Sequence, residues 1–312
     1  MYLDKAESIR GIINGIDSWV VTEKIDGSNF QLVINMNDGS FEVGKRSQII
    51  ENEKQDVVDL WRHKDRFTEI VDQLYQYFST SFFTSDSTNK PRVQYIIVYG
   101  EFFGPKIMQR IDYGANRDWR LFAVGYVEHE QYYALPFKVL VDTLNEIGQC
   151  ERLVPILGYT DSAEHGCQFP NDMQSRLTAS DSVMEGIVVC PYDVGCNIRF
   201  KVKNEKYAEK DNNKRHQHYL ATIDGATERL HLAFKEYCTE NRMYSVFSKF
   251  GRCVDKKEAG KYLTEFIRDA IEEFTSDYPE FGEISDKSII KKITNVGGIP
   301  YQLFSKINDQ LK

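Results

Sequence analysis

The sequence has little of what a secreted, metal-stapled or membrane-bound chain needs. Its six cysteines (Cys150, Cys167, Cys190, Cys196, Cys238, Cys253) contain no Cys-x-x-Cys pair, which argues against structural zinc and for free thiols in a reducing compartment. No apolar run approaches the length of a bilayer span, so no membrane partner is expected. The opening MYLDKAESIRGIING has early acidic residues and no long apolar core, so no secretory leader is expected. The expected location is the cytoplasm, that of the host if the gene is viral. Positive charge is in deficit, 39 Lys and Arg against 47 Asp and Glu, for a formal charge of −8. Global charge is a poor guide where cations cluster, because phosphate contacts depend on the local field. There is no internal repeat or low-complexity tract, and the six histidines show no metal-ligand spacing.

What is present divides the chain in two. Up to about residue 205, runs rich in Val, Ile, Phe and Tyr alternate with turn residues and predict strands at Ser18–Thr22, Phe30–Asn35, Ser40–Gly44, Gln94–Tyr99, Leu121–Val127, Gly186–Val189 and Ile198–Val202. Val57, Leu60, Trp61, Ile70 and Leu74 predict a helix near Asp56–Phe78, and the polar Ser79–Pro91 reads as a loop. After about residue 215, Leu230, Ala233, Phe234 and Tyr237 recur at helical spacing, as do Leu263, Phe266, Ile267, Ala270 and Phe274 before a stop at Tyr278–Pro279. Ser285 is a candidate cap for a third helix carrying Ile289, Ile290 and Ile293. The expected domains are residues 1–220 and a small helical domain, 221–312. Between them runs a basic tract through Arg199, Lys201, Lys203, Lys206, Lys210, Lys214 and Arg215, with His216 and His218 inside it.

Lys24-Ile25-Asp26-Gly27 joins the first two predicted strands. A Lys-x-Asp-Gly string arises by chance in roughly one chain in ten of this length, and Asp-Gly alone suggests a hairpin turn. Much follows it in order, however: Val43-Gly44-Lys45-Arg46, then Val98-Tyr99-Gly100-Glu101 at the end of an apolar run, then Trp119-Arg120-Leu121-Phe122. Met184-Glu185-Gly186-Ile187-Val188 opens another strand, and Arg199-Phe200-Lys201-Val202-Lys203 alternates so that both lysines share a face.

This ordered set resembles the motifs of the covalent lysyl nucleotidyltransferases, the polynucleotide ligases and RNA-capping enzymes. The nearest resemblance is to the nick-sealing RNA ligases of phage repair and kinetoplastid editing. It spans Glu23 to Lys203, and the tail near Phe247–Gly251 and Ser285–Thr294 resembles the helical C-terminal domain of the phage members. The resemblance implies an α+β nucleotidyltransferase (ATP-dependent ligase) domain with antiparallel sheets, followed by that all-helical domain. Two departures stand out. Asp26 occupies a position where phage nick-sealers can carry His, and Cys190 one where a basic residue would be less surprising. No OB-fold signal follows the last motif.

The chemistry suits these residue types. A lysine attacking the α-phosphorus of ATP must be unprotonated, whereas an ordinary lysine has a pKa near 10.4. Nearby cations or desolvation favour the free amine, and Lys201 and Lys203 are expected to do this for Lys24 while holding the α-phosphate. Glu185 is the candidate ligand for Mg²⁺, with Mn²⁺ as a substitute. The resemblance further implies that Glu101 meets the ribose, Phe122 stacks on adenine and Val188 covers its other face. It also implies that Glu23 and Ile25 meet the adenine edge through their backbone, and that Asn29 and Arg46 bind the nucleotide or the RNA 5′-phosphate. The implied partner is RNA with 3′-hydroxyl and 5′-phosphate ends, at a nick in a duplex, sealed by a monomeric enzyme. A capping guanylyltransferase, an ATP-dependent DNA ligase and a non-catalytic RNA-binding protein on the same scaffold are the competing readings.

Overall fold

A computed structural model of the chain describes residues 10–45, 48–51, 60–82, 93–108, 110–178, 180–208 and 225–311. The chain divides into two compact units, Met1–Asn204 and Glu205–Lys312. The boundary expected near residue 220 falls outside the described residues, as does the basic tract from Lys210 to Arg215.

The first unit is built on two antiparallel sheets. The strands are β1 (Trp19–Lys24), β2 (Ser28–Asn35), β3 (Phe41–Lys45), β4 (Gln48–Ile49), β5 (Tyr95–Phe103), β6 (Asp118–Glu128), β7 (Gln131–Ala134), β8 (Ile156–Thr160), β9 (Gly186–Pro191) and β10 (Phe200–Lys203). One sheet runs β10-β9-β1-β8 and the other β4-β3-β2-β5-β6-β7. In β1 the first five of six residues are buried, as suits a central strand covered on both faces. In β2 burial alternates strictly, so one face enters a core and the other is part-open. That core joins Phe30, Leu32, Val98 and Leu121 to Ile70 and Leu74 of the helix Thr68–Tyr77 and Leu140 and Leu144 of the helix Phe137–Glu146. A second core packs Trp19, Val21, Ile187, Val189 and Phe200 beneath the four-stranded sheet. A third lies between the sheets and includes Val20 and Cys190 from one, Phe103 and part-buried Phe122 from the other.

The seven predicted strands coincide with β1, β2, β3, β5, β6, β9 and β10. The sequence reading gave no strand at β4, β7 or β8 and no helix at Phe137–Glu146. Ser79–Phe82, expected in a loop, prolongs the preceding helix as a wider turn, Phe78–Phe82, where Thr80 Oγ1 donates to the Gln76 carbonyl.

The second unit is helical: Ala226–Lys235, Glu240–Phe250, Ala259–Asp277, Pro279–Gly282, Lys287–Thr294 and Ile299–Gln310. The cap of Lys287–Thr294 is Asp286 rather than Ser285; its carboxylate accepts from the Ser288 N–H and so satisfies a free donor of the first turn. Phe247, Tyr262 and Phe304 make one aromatic group of this unit's core, and Phe274 with Phe234, Tyr237 and Phe281 makes another. Beside them Arg242, 1% exposed, donates to the Tyr237 carbonyl, to Asp269 at 2.6 Å and to Glu273. A buried guanidinium is tolerated only with such partners. Arg242→Ala is expected to destabilise the chain by about 3 kcal/mol, below the upper limit for a buried pair because both carboxylates retain some water. Urea unfolding of the full chain measures this, and a loss under about 1 kcal/mol would contradict it.

Candidate functional site

The Lys-x-Asp-Gly segment is a crossing between sheets, not the hairpin turn its composition suggests. Strand β1 pairs with β8 and β9, whereas β2 pairs with β3 and β5. Residues 25–27 therefore carry the chain across the groove between the sheets. Gly27 is needed for close approach: a Cβ there would lie 2.5 Å from the Phe102 carbonyl oxygen and 2.9 Å from Glu101 Cγ.

Register fixes what the four-stranded sheet presents. Lys24 is paired with Gly186 and Gly186 with Lys203; one step along, Thr22 is paired with Val188 and Val188 with Lys201. Period-two alternation puts Lys24, Val188, Lys201 and Lys203 on one face. Gly186 adopts φ +153° with the Val202 carbonyl oxygen 2.2 Å from where a Cβ would sit, so any other residue would wedge β9 from β10. Glu23 belongs to the opposite face. Its buried carboxylate accepts from Ser175 Oγ and, at 2.9 Å, from the Arg176 N–H, and its own N–H donates to the Pro155 carbonyl. Burial raises the Glu23 carboxyl above its ordinary pKa despite these bonds.

The six-stranded sheet answers with Asn29, Glu101 and Arg120 in one row across β2, β5 and β6. Beyond Arg120 the β5–β6 register slips: Gly100 pairs with Leu121 and Tyr99 with Ala123. Phe122 is the extra residue of that bulge, and it packs in the inter-sheet core with Ile25, Val20 and Cys190. A bulge beside a groove re-aims a side chain in this way. Arg46 lies outside the described residues.

The centre of the groove is a charge cluster. Lys24 Nζ is bonded to Glu185 Oε2, and Glu185 Oε1 lies 3.3 Å from Arg110 Nη2 and 3.7 Å from Lys203 Nζ. Arg110 also grips Asp26 with two nitrogens, Nη2 to Oδ1 and Nε to Oδ2 at 3.2 Å. Burial works against ionising Glu185, but Lys24, Arg110 and Lys203 outweigh it and hold the carboxyl at about 2. Asp26 moves the other way: burial raises it, with Arg110 opposing. Glu101 is raised to about 8 by burial, which Lys24 and Lys201 only partly offset. The charged group in direct contact with Lys24 is the Glu185 carboxylate, around which Arg110 and Lys203 also gather.

Arg110 and Tyr113, whose hydroxyl accepts from the Asp26 N–H at 2.9 Å, went unnoticed in the sequence because their loop has neither periodicity nor motif. Ser175 and Arg176 are also legible only in three dimensions. Among the described residues no three His, Cys, Asp or Glu side chains form a metal site. Glu185 nevertheless offers one hard carboxylate beside cations suited to phosphate, which fits Mg²⁺ shared between one carboxylate, waters and phosphates. A neutral Glu101 has a testable consequence. Its folded pKa is raised, so its stabilisation is full below about 4.5 and is lost as pH rises towards about 8. The melting-temperature gain of Glu101→Gln over the natural chain should therefore grow between pH 5 and pH 9. A constant difference across that range would refute it.

Two family models match the chain: one described as RNA ligase over residues 17–203, the other as T4 RNA ligase 2 C-terminal over residues 222–296. Similar solved structures include a Naegleria gruberi RNA ligase mutant with ATP and Mn, 22% identical with a TM-score of 0.46 over 64% of this chain and 54% of that one. The same organism's RNA ligase with pyrophosphate is 22% identical, with a TM-score of 0.45 over 64% and 53%. Another mutant with ATP and Mn is 18% identical, with a TM-score of 0.47 over 66% and 55%. The chain thus spans about half the length of these relatives. With a family match running over well above half of its residues, from the strand that carries Lys24 to the strand that carries Lys203, this chain belongs to the RNA ligase family.

Proposed function

We propose that the chain is an ATP-dependent RNA ligase that joins a 3′-hydroxyl to a 5′-phosphate at nicks in duplex RNA. The observation that carries this reading is the convergence of Lys24, Lys203 and Glu185 in a groove walled by Phe122 and Glu101. Lys24 Nζ attacks the α-phosphorus of ATP. The N–P bond forms, the bond to the bridging oxygen breaks, and pyrophosphate leaves with that electron pair. The RNA 5′-phosphate then takes the adenylyl group and frees Lys24, and the 3′-hydroxyl attacks the activated phosphate and expels AMP.

Attack requires Lys24 to leave the Glu185 carboxylate and lose its proton. A divalent cation held through Glu185 would screen the charge of the reacting phosphates. Lys201 and Lys203 hold the α-phosphate in place. Glu101, largely protonated at neutral pH, is able to donate a hydrogen bond to a ribose hydroxyl as well as accept one. Phe122 and Val188 sit on opposite walls and take the adenine between them. Ile25 and the Glu23 backbone line its edge, and Asn29, with Arg46, serves the nucleotide or the RNA 5′-phosphate.

Residues 1–220 act as the adenylyltransferase domain. Residues 221–312, with the basic tract before them, hold the duplex, phosphates setting register and 2′-hydroxyls distinguishing RNA from DNA. A monomer acting in the cytoplasm completes the reading.

Incubation with Mg²⁺ and α-labelled ATP should leave label on the protein in a denaturing gel, and Lys24→Ala should abolish it. Label from α-labelled GTP alone would establish capping instead, and no label from either nucleotide, with folded and unadenylylated protein, would leave an RNA-binding protein. Truncation after residue 220 should preserve self-labelling and cut sealing of nicked duplex RNA at least about tenfold, the scale of losing several phosphate contacts. Equal sealing would remove the C-terminal unit from RNA binding.

A further inference from the structure

The partners of Glu185 divide between its two oxygens. Oε2 receives Lys24, while Oε1 faces Arg110 at 3.3 Å and Lys203 at 3.7 Å. The three cations do not have the same fate in the reaction. Forming the N–P bond turns the Lys24 ammonium into the uncharged nitrogen of a phosphoramidate whose phosphoryl group is anionic, so Oε2 loses its cationic partner at the first step. Glu185 is 2% exposed, and a buried carboxylate left without compensation is costly. Whatever holds Oε1 must therefore keep Glu185 paired and aimed while Oε2 exchanges partners.

Arg110 is built for this. It comes from the segment between β5 and β6, whereas Asp26 lies in the crossing from β1 to β2 and Glu185 immediately precedes β9. Its Nε and Nη2 take both oxygens of Asp26, and Nη2 reaches Glu185 as well. A planar fork held at two points fixes the third direction, which the flexible stem of a lysine does not do. The Asp26 N–H is fixed in turn by the Tyr113 hydroxyl, three residues along from Arg110. Asp26 is thus an anchor, and the Arg110 guanidinium joins it to the carboxylate that serves the phosphates.

We propose that Arg110 is a positioning residue: anchored on Asp26, it holds Oε1 of Glu185 so that Oε2 is released to a divalent cation when Lys24 turns to the α-phosphate. The proposal rests on the reading of Lys24 as nucleophile and Glu185 as metal ligand. It predicts that Arg110 governs metal affinity far more than nucleotide affinity.

The test uses the full chain with Arg110→Gln, Arg110→Lys and Asp26→Asn. One readout is the single-turnover rate of self-labelling from α-labelled ATP across a Mg²⁺ titration. The other is Mn²⁺ binding, followed by electron paramagnetic resonance with a non-cleavable ATP analogue. Losing an outer partner of a metal-binding carboxylate weakens metal about tenfold or more, so Arg110→Gln should raise the Mg²⁺ half-saturation and the Mn²⁺ Kd by that factor. The KM for ATP should move by less than about twofold, since no nucleotide contact is assigned to Arg110. Arg110→Lys, which keeps charge but loses the fork, should fall between, and Asp26→Asn should shift metal affinity in the same direction. If Arg110→Gln fails to fold, the other two variants carry the test. Unchanged metal affinity with normal labelling overturns the proposal and leaves the ligase reading standing. Metal affinity, ATP KM and thermal stability falling together would show a merely structural role and also overturn it. A natural chain that takes no label removes the nucleophile reading, and this proposal with it.

Discussion

Three cations converge on Glu185, a carboxylate almost wholly removed from water. Inside a groove of low effective dielectric, a lone carboxylate would take up a proton and a lone lysine would shed one. Held among Lys24, Arg110 and Lys203, the Glu185 carboxyl is lowered to about 2 despite its burial. The rest of the groove is arranged around that compensation. Lys24 and Lys203 reach it because β9 pairs with β1 on one side and β10 on the other, with Gly186 at the meeting point of all three strands. Arg110 reaches it while its guanidinium also grips both oxygens of Asp26.

The neighbouring Glu101 shows how much the compensation matters. It also lies near Lys24 and Lys201, yet burial dominates and its carboxyl rises to about 8. Two carboxyl groups in one groove are thus driven in opposite directions, Glu185 lowered by its ion pairs and Glu101 raised by burial. Such separation is characteristic of sites where carboxyl groups take different roles. The cause is geometric: among the described residues Glu185 has direct ion pairs, whereas Glu101 lies in the field of Lys24 and Lys201, opposed by Glu185 and Asp26.

Much of this was legible as pattern. The alternation Arg199-Phe200-Lys201-Val202-Lys203 gave both the strand and the shared face of the lysines, because a period of two leaves no other arrangement. The alternating β2 and the apolar β5 were equally plain. Strand β8, Ile156–Thr160, was missed because it holds one glycine in five residues and its pairing with β1 slips at Leu157. The helix Phe137–Glu146 was missed in a region read for strands. Phe122 could be named, but the bulge that turns it inward depends on a register slip with β5 that no local pattern encodes. Arg110 is the sharper case. Its importance comes from meeting Asp26, 84 residues away, and Glu185, 75 residues away, and sequence spacing carries no trace of either.

Taken globally, the net charge of −8 argues against a polyanionic substrate. The structure shows where some of the acidity is used. In the helical unit Asp269, Glu273 and Glu265 are bonded to Arg242 and Lys249, which makes them internal counter-ions rather than a repulsive surface. Exposed charges elsewhere are screened beyond about 8 Å at physiological salt. Among the described residues, a phosphate entering the groove therefore meets Lys24, Lys201, Lys203 and Arg110 against Asp26, Glu185 and a largely neutral Glu101. The cations outnumber the ionised carboxylates there, and one of those carboxylates is itself suited to a divalent metal. Local arrangement, rather than total charge, sets the sign of the field that a nucleotide encounters.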